Sequence, residues 1–281
     1  MRVVQKITEL RQIVREERAS GKIIGLVPTM GYLHEGHISL VKRAKADESF
    51  VVMSIFVNPL QFGPGEDYGK YPRDFERDSN LAREAGVDVI FCPEVNEMYP
   101  EEALTQVEVG GLTAGLCGKS RPGHFRGVAT VVSKLFNLVQ PDKAYFGLKD
   151  YQQYTVIRKM VKDLNFPIEI IGVPIVREED GLALSSRNVY LSSEERKEAL
   201  VLFKSLEEAE NLILSGKRNV EGIKQVIAEK IIKESSGQID YVEIVGAEDL
   251  SSLEVIDRPV VIALAVRFGR TRLIDNKVVE V

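Results

Sequence analysis

Residues 22–57 read KIIGLVPTMGYLHEGHISLVKRAKADESFVVMSIFV. Residues 22–27 form a short apolar strand, residues 28–31 (Pro-Thr-Met-Gly) a turn, and residues 38–47 a helix with Ile38, Val41 and Ala44 at helical spacing. Residues 50–57 are apolar without alternation, the pattern of a strand buried on both faces. The same grammar continues on either side. Residues 5–19 are an amphipathic helix with Ile7, Leu10 and Val14 on one face, residues 61–72 a loop with three Gly and two Pro, 73–85 a helix and 87–91 a strand. Residues 110–123 are again loop, 126–139 a helix, 143–146 a strand, 151–163 a helix and 168–173 a strand. Strands that alternate with helices imply βαβ units, hence a parallel sheet with right-handed crossovers. Ligands of such sheets bind at the carboxyl ends of the strands, which singles out the loops after Val27, Val57 and Phe146.

Beyond about residue 177 the pattern changes. Helices at 193–214 and 220–233 carry apolar stripes (Ala199, Leu202, Leu206 and Ile213; Val220, Ile223, Ile227 and Ile231), and strand-like runs follow at 239–245, 260–266 and 271–281. The expectation is an α/β domain at 1–176 and a smaller α+β C-terminal domain at 177–281. A length of 281 residues suits roughly two domains of about 150 each.

Composition narrows the function classes. The charge is 37 − 42 = −5, which argues against a general nucleic-acid binder, since these present a basic face. No apolar run approaches the roughly 18 residues of a membrane span. The opening segment MRVVQKITELRQIVREERAS has no apolar core of a secretory leader. Cys92 and Cys117 form neither a CxxC pair nor a disulfide framework, so a cytoplasmic location is expected. Three histidines cannot build a histidine-rich metal cage.

Chemistry concentrates in a few segments. In PTMGYLHEGH (28–37), His34 and His37 flank a helix start, where free N–H groups and the helix dipole suit phosphate. Gly36 permits close approach of a ligand to the backbone. Equally, one histidine could cap the helix and the other lie on the surface. A zinc site is disfavoured, because H-x-x-H lacks the glutamate and spacing of H-E-x-x-H. LSSRN (184–188) offers the hydroxyls of Ser185 and Ser186 and the guanidinium of Arg187, or else a turn before a helix capped by Ser192 with Glu195. GLKD (147–150) brings Lys149 to a strand end, or else Asp150 as a cap. Asn58, Gln61 and Gln153 are amides suited to hydroxyl and carboxylate groups. TAGLCGKS (113–120) falls one glycine short of a P-loop and runs into Arg121-Pro122, so we read it as no phosphate loop.

Taken in order, PTMGYLHEGH, SIFVNPLQFG (54–63), YPRDFERD (71–78), RPGHFRGV (121–128), FGLKDYQQ (146–153) and REEDGLALSSRNVYL (177–191) resemble the pantoate–β-alanine ligases of the HIGH-type nucleotidylyltransferase superfamily. The resemblance continues weakly to TRLIDN (271–276). It implies a Rossmann-like, doubly wound sheet that binds nucleotide and pantoate, with the C-terminal domain as a lid. It implies ATP phosphates on Met30, Gly31, Tyr32, Leu33, His34, Glu35, Gly36 and His37, with His37 as acid. Gly147, Leu148, Lys149 and Asp150 become the nucleotide segment; Leu184, Ser185, Ser186 and Arg187 become a closing loop beside Asn188; and Val176 meets adenine through its backbone. Among these, His34, His37, Lys149 and Arg187 are the catalytic set. Gln61 and Gln153 would hold pantoate, with Asn58 and His124 nearby, and Asp78 would stand near Mg2+. A homodimer is also implied. Loops 61–72 and 184–190 are the candidate lids over an acyl-adenylate that must be kept from water. Two other readings predict different products: a nucleotidylyltransferase would place a nucleotidyl group on a phosphate acceptor, and a silent nucleotide sensor would release no pyrophosphate.

Overall fold

The computed structural model describes Met1–Val281. In chain order the elements are β1 (Arg2–Val4), α1 (Ile7–Ala19), β2 (Ile24–Thr29), α2 (Glu35–Ala46), β3 (Phe50–Ile55), α3 (Phe75–Glu84), β4 (Val89–Phe91), α4 (Val95–Met98), α5 (Leu116–Ser120), α6 (His124–Val139), β5 (Lys143–Gly147), α7 (Tyr151–Asp163), β6 (Glu169–Val173), α8 (Ser193–Glu198), α9 (Leu200–Leu214), α10 (Val220–Glu234), β7 (Gln238–Gly246), β8 (Val260–Phe268) and β9 (Thr271–Val279). Contacts divide the chain into one unit of residues 1–110, 121–148 and 156–174 and a second of 111–120, 149–155 and 175–281. The division is therefore not a single cut near 176: residues 111–120 and 149–155, from within the expected 1–176 domain, group with the second unit.

The first unit is built on a six-stranded parallel sheet in the order β1-β4-β3-β2-β5-β6. From β2 the chain steps outward to β3 and β4, and then returns to β5 on the other side of β2. The order reverses there, so the ends of β2 and β5 are the positions where such sheets bind ligands. Val27, Val51, Met53, Ile90 and Tyr145 are buried on these strands, which explains the unbroken apolar runs.

Three expectations change. Pro28 and Thr29 extend β2 rather than turning: Pro28 pairs with Ser54 on β3, while β5 pairs only with Gly25 and Leu26, so the missing proline N–H costs the sheet no bond on that side. α2 begins at Glu35, three residues early, for the reason given below. The long helix at 193–214 breaks at Ala199 into α8 and α9. The three-residue edge strand β1 was too short to show a period.

The second unit contains the antiparallel sheet β7-β8-β9. The middle strand, VVIALAVRF, is apolar but for the exposed Arg267 because both its faces are covered along most of its length. Val260, Ile262, Leu264, Val266 and Phe268 pack with Leu206, Ile213, Ile223 and Ile227 of α9 and α10, whereas Val261 and Ala263 meet Leu116 of α5.

Candidate active site

The loop leaving β2 is held by bonds that sequence spacing does not reveal. Thr29 Oγ1 donates to the Ser54 carbonyl (2.7 Å) and accepts from Gly31 N (3.2 Å). Gly31 (φ 84°) and Tyr32 (φ 50°) are both left-handed, a conformation that costs most side chains about 1 kcal/mol or more. Asp78, on the first turn of α3, compensates: its Oδ2 accepts from Tyr32 N at 2.7 Å and its Oδ1 from Leu33 N at 2.6 Å. A Cβ on Gly31 would stand 3.0 Å from Asp78 Oδ2 and from Ile55 Cγ2, so both the angle and the space call for glycine. The Arg77 guanidinium lies over the Tyr32 ring at 5.2 Å.

Asp78 is 1% exposed. Burial pushes its carboxyl above the ordinary range, against the pull of the Leu33 and Tyr32 N–H groups and of Arg77. The metal role expected of it does not fit. Both oxygens are engaged by backbone N–H groups and the carboxylate is enclosed, so it is committed to holding the loop.

α2 starts early because histidine caps it. The His34 Nδ1 accepts from Gly36 N (3.1 Å), and the His34 N–H donates back to His37 Nδ1 (3.3 Å), a capping box made of imidazoles. This arrangement fixes the tautomers. Each Nδ1 is an acceptor, so each neutral ring carries its proton on Nε2. The rings lie 4.1 Å apart, at the amino end of a 12-residue helix whose dipole favours anions. Two N–H donors and a helix terminus together make a site for a polyanion.

The amides form a second cluster in the same unit. Asn58 Nδ2 donates to Gln61 Oε1 (3.2 Å) and to the Gly127 carbonyl (3.1 Å), while Asn58 Oδ1 accepts from Leu60 N (3.3 Å) and the Tyr99 hydroxyl (3.0 Å). Gln61 Nε2 reaches Met30 Sδ (3.1 Å), joining this cluster to the loop after β2. His124 is the first residue of α6. Its Nδ1 meets the Gln61 carbonyl (2.9 Å) and its Nε2 the Arg121 guanidinium (3.0 Å). Carbonyls only accept and guanidinium only donates, so the ring is the Nδ1–H tautomer. Asn58 (1% exposed) and His124, which the resemblance sets beside pantoate, both turn these polar atoms to Gln61. Arg121 also grips Glu66 with two bonds, at 2.8 and 2.6 Å. Burial pushes the Glu66 carboxyl up, but the Arg121 hydrogen bond and charge outweigh it and leave it below its ordinary value.

The second unit holds Lys149, Asp150, Gln153, Val176 and the Leu184–Arg187 segment. The Val176 carbonyl accepts from Leu184 N (3.0 Å), and Arg177 pairs with Ala183, so one small hairpin brings Val176 beside the base of the serine turn. Ser185 Oγ accepts from Arg187 N (3.3 Å), capping a 3-10 turn over Ser186–Tyr190. The hairpin is anchored by Arg177, which makes a two-pronged ion pair with Asp275 (2.7 and 2.9 Å), and Asn276 Nδ2 holds the Lys149 carbonyl (2.8 Å). Asp275 and Asn276 lie in TRLIDN, so the weak tail of the resemblance carries anchors that the sequence reading left without roles. Tyr99 and Glu66 carry no sequence signal, since single tyrosines and glutamates form no pattern.

The P-loop look-alike is structural. No strand leads into residues 113–120, and a Cβ on Gly118 would fall 2.0 Å from the Thr113 carbonyl. Gln152 Nε2 pins the carbonyls of Leu112 and Gly115 at 2.8 and 2.9 Å, a carbonyl cluster unsuited to phosphate.

Comparison with known proteins gives one answer. The model of the family "Pantoate-beta-alanine ligase" matches residues 2–278. The chain is 66% identical over 280 residues to the pantothenate synthetase of Desulfitobacterium hafniense, covering 100% of this chain and 99% of that one. It is 60% identical over 281 residues to that of Acetivibrio thermocellus, covering 100% of both. Among solved structures, pantothenate synthetase from Thermus thermophilus superposes with a TM-score of 0.93 at 53% identity over 99% of each chain. The pantoate-beta-alanine ligase from Francisella tularensis, crystallised with beta-gamma ATP and beta-alanine, superposes with a TM-score of 0.81 at 36% identity over 99% of this chain and 97% of that one.

Proposed function

The chain belongs to the pantoate-beta-alanine ligase family, and on that premise we propose how its residues carry an ATP-dependent ligation of pantoate to β-alanine. The pantoate carboxylate attacks the α-phosphorus of ATP, forming pantoyl adenylate and releasing pyrophosphate. The β-alanine amine then attacks the acyl carbon, its proton leaves, and pantothenate and AMP form. A carboxylate is already nucleophilic, so no serine or cysteine has to activate it. The barrier lies in the charge that builds on phosphorus, and fixed N–H donors are the means of lowering it.

The observation that carries this reading is the reciprocal His34–His37 cap, which presents two Nε2–H donors at the amino end of α2. In our reading they hold the phosphate tail of ATP together with backbone N–H groups of residues 30–37. His37 steadies the charge that grows as pyrophosphate leaves. Gln61 receives pantoate. To Lys149, Ser185, Ser186 and Arg187 we assign further donors to phosphate, to Gln153 a second amide for pantoate, and to Val176 the adenine edge. Magnesium enters our reading only as the companion of ATP phosphate; Asp78 does not fit as its ligand, and no step here passes through it. No helix is long and apolar enough to cross a membrane, and we place the enzyme in the cytoplasm, as a homodimer. Sedimentation at about the 31.4 kDa chain mass, rather than near twice that, would refute the dimer.

The reaction is tested by supplying ATP, pantoate and β-alanine and following AMP and pyrophosphate. AMP that depends on β-alanine supports it. Release of ADP, or AMP formation indifferent to β-alanine, overturns it.

A further inference from the structure

A glutamine facing a ligand is ambiguous in principle: either end of its amide can point outward, and the two ends have opposite polarity. At Gln61 the surrounding bonds remove the ambiguity. The chain of reasoning begins at two backbone groups. Leu60 N–H can only donate, so the Asn58 atom 3.3 Å away is its oxygen; the Gly127 carbonyl can only accept, so the Asn58 atom 3.1 Å away is its nitrogen. The orientation of Asn58 is thereby set by the main chain of two different segments. Its second N–H faces Gln61 at 3.2 Å, so that end of Gln61 is the oxygen, and the Gln61 NH2 points to Met30 Sδ.

Tyr99 closes the arrangement from the far side. It caps the short helix α4 and donates its hydroxyl hydrogen to Asn58 Oδ1 at 3.0 Å. Its ring lies near that of Phe56 (6.2 Å) and beneath Lys134 Nζ (5.1 Å). Burial pushes its hydroxyl up to about 12, so it stays a neutral donor at working pH. With that bond Asn58 makes two bonds as donor and two as acceptor, and it is enclosed at 1% exposure. Nothing of it is left over for a substrate.

We propose that Asn58 and Tyr99 are positioning residues that lock the Gln61 amide with its NH2 toward the acid, so that the site accepts a group bearing hydrogen-bond acceptors there. The inference rests on the reading of Gln61 as a pantoate contact. It adds that the polarity of this contact is imposed through Asn58, which two main-chain groups orient and a tyrosine that does not itself touch substrate holds in place.

The test is a double-mutant cycle on the full-length enzyme, with Tyr99→Phe, Gln61→Ala and the pair, varying pantoate at saturating ATP and β-alanine. Tyr99→Phe removes one hydrogen bond and keeps the ring, so the KM for pantoate should rise about three- to tenfold, with kcat and the KM for ATP within about twofold. In the Gln61→Ala background the same change should have almost no effect, because the group it orients is gone. Equal effects of Tyr99→Phe in both backgrounds would refute the relay, as would a parallel rise in the KM for ATP. If Gln61→Ala alone leaves the pantoate KM unchanged, the assignment of the acid site fails and the relay falls with it. Asn58→Asp, which keeps both acceptors and removes both donors, should raise the pantoate KM more than Tyr99→Phe does; a smaller rise in a folded variant would count against the mechanism.

Discussion

Gly127→Ala is the sharpest way to ask whether the contact between α6 and the 59–61 turn sets the acid site. An added Cβ would stand 2.2 Å from the Leu60 carbonyl oxygen, 2.4 Å from its carbon and 2.6 Å from Gln61 Cα. Ordinary carbon–oxygen contact needs more than about 3 Å, so helix and turn must separate by roughly 1 Å. All three obstacles are main chain, and none can swing aside as a side-chain tip could. Overpacking of this kind costs about 1–3 kcal/mol, and alanine in a helix interior returns about 1 kcal/mol. The net loss of stability is therefore about 0–2 kcal/mol, a fall in Tm of at most about 8 °C. The functional loss should be larger. The Asn58 Nδ2 bond to the Gly127 carbonyl, now 3.1 Å, would stretch past bonding distance, and the carbonyl of Gln61 would shift against His124. A misplacement of about 1 Å can cost on the order of 100-fold, and we expect kcat/KM for pantoate to fall about 10- to 100-fold with the KM for ATP within about twofold. Steady-state kinetics with each substrate varied, beside a thermal melt, decides the matter. A folded variant with pantoate kinetics within threefold of the parent would refute the reasoning.

Four further outcomes are expected. His37→Ala should slow pantoate-dependent pyrophosphate release about tenfold or more while circular dichroism stays unchanged; near-normal turnover would remove His37 from the mechanism. Asp78→Asn replaces one acceptor of a backbone N–H by a donor, so the KM for ATP should rise with the magnesium activation constant unmoved; a shifted magnesium constant would restore Asp78 as a ligand. Glu66 is held below its ordinary value, so the stability from its pairing with Arg121 is present above the ordinary glutamate range and is lost as pH falls through the lowered value. The Tm gap between the parent and Glu66→Gln should accordingly close on acidification below the ordinary glutamate range, and a gap that persists at the acid end would contradict the assignment. Lys119→Ala should leave the KM for ATP within about twofold, and a collapse of ATP affinity would revive the P-loop reading.

The alternation of strand and helix from residue 22 to 173 was legible because its causes are local. Side-chain period and apolar runs report which faces are buried, and that suffices for a parallel sheet and for the strand ends where chemistry sits. The antiparallel strands 238–279 were legible for the same reason. Helix starts were less so. The cap of α2 is an imidazole, one of the two readings left open for His34 and His37; its reciprocal bond to the second histidine was not legible.

Sequence by itself determined the sheet, its covering helices and the stretches bearing donors, since each depends on neighbours a few residues away along the chain. Tertiary structure alone decided what each polar side chain faces. Asp78 meets residues 46 and 45 positions earlier, Asn58 meets a carbonyl 69 positions later, and Arg177 meets a carboxylate 98 positions on. The direction of a hydrogen bond and the tautomer of a ring follow from the group opposite, and the group opposite is chosen by the path of the folded chain.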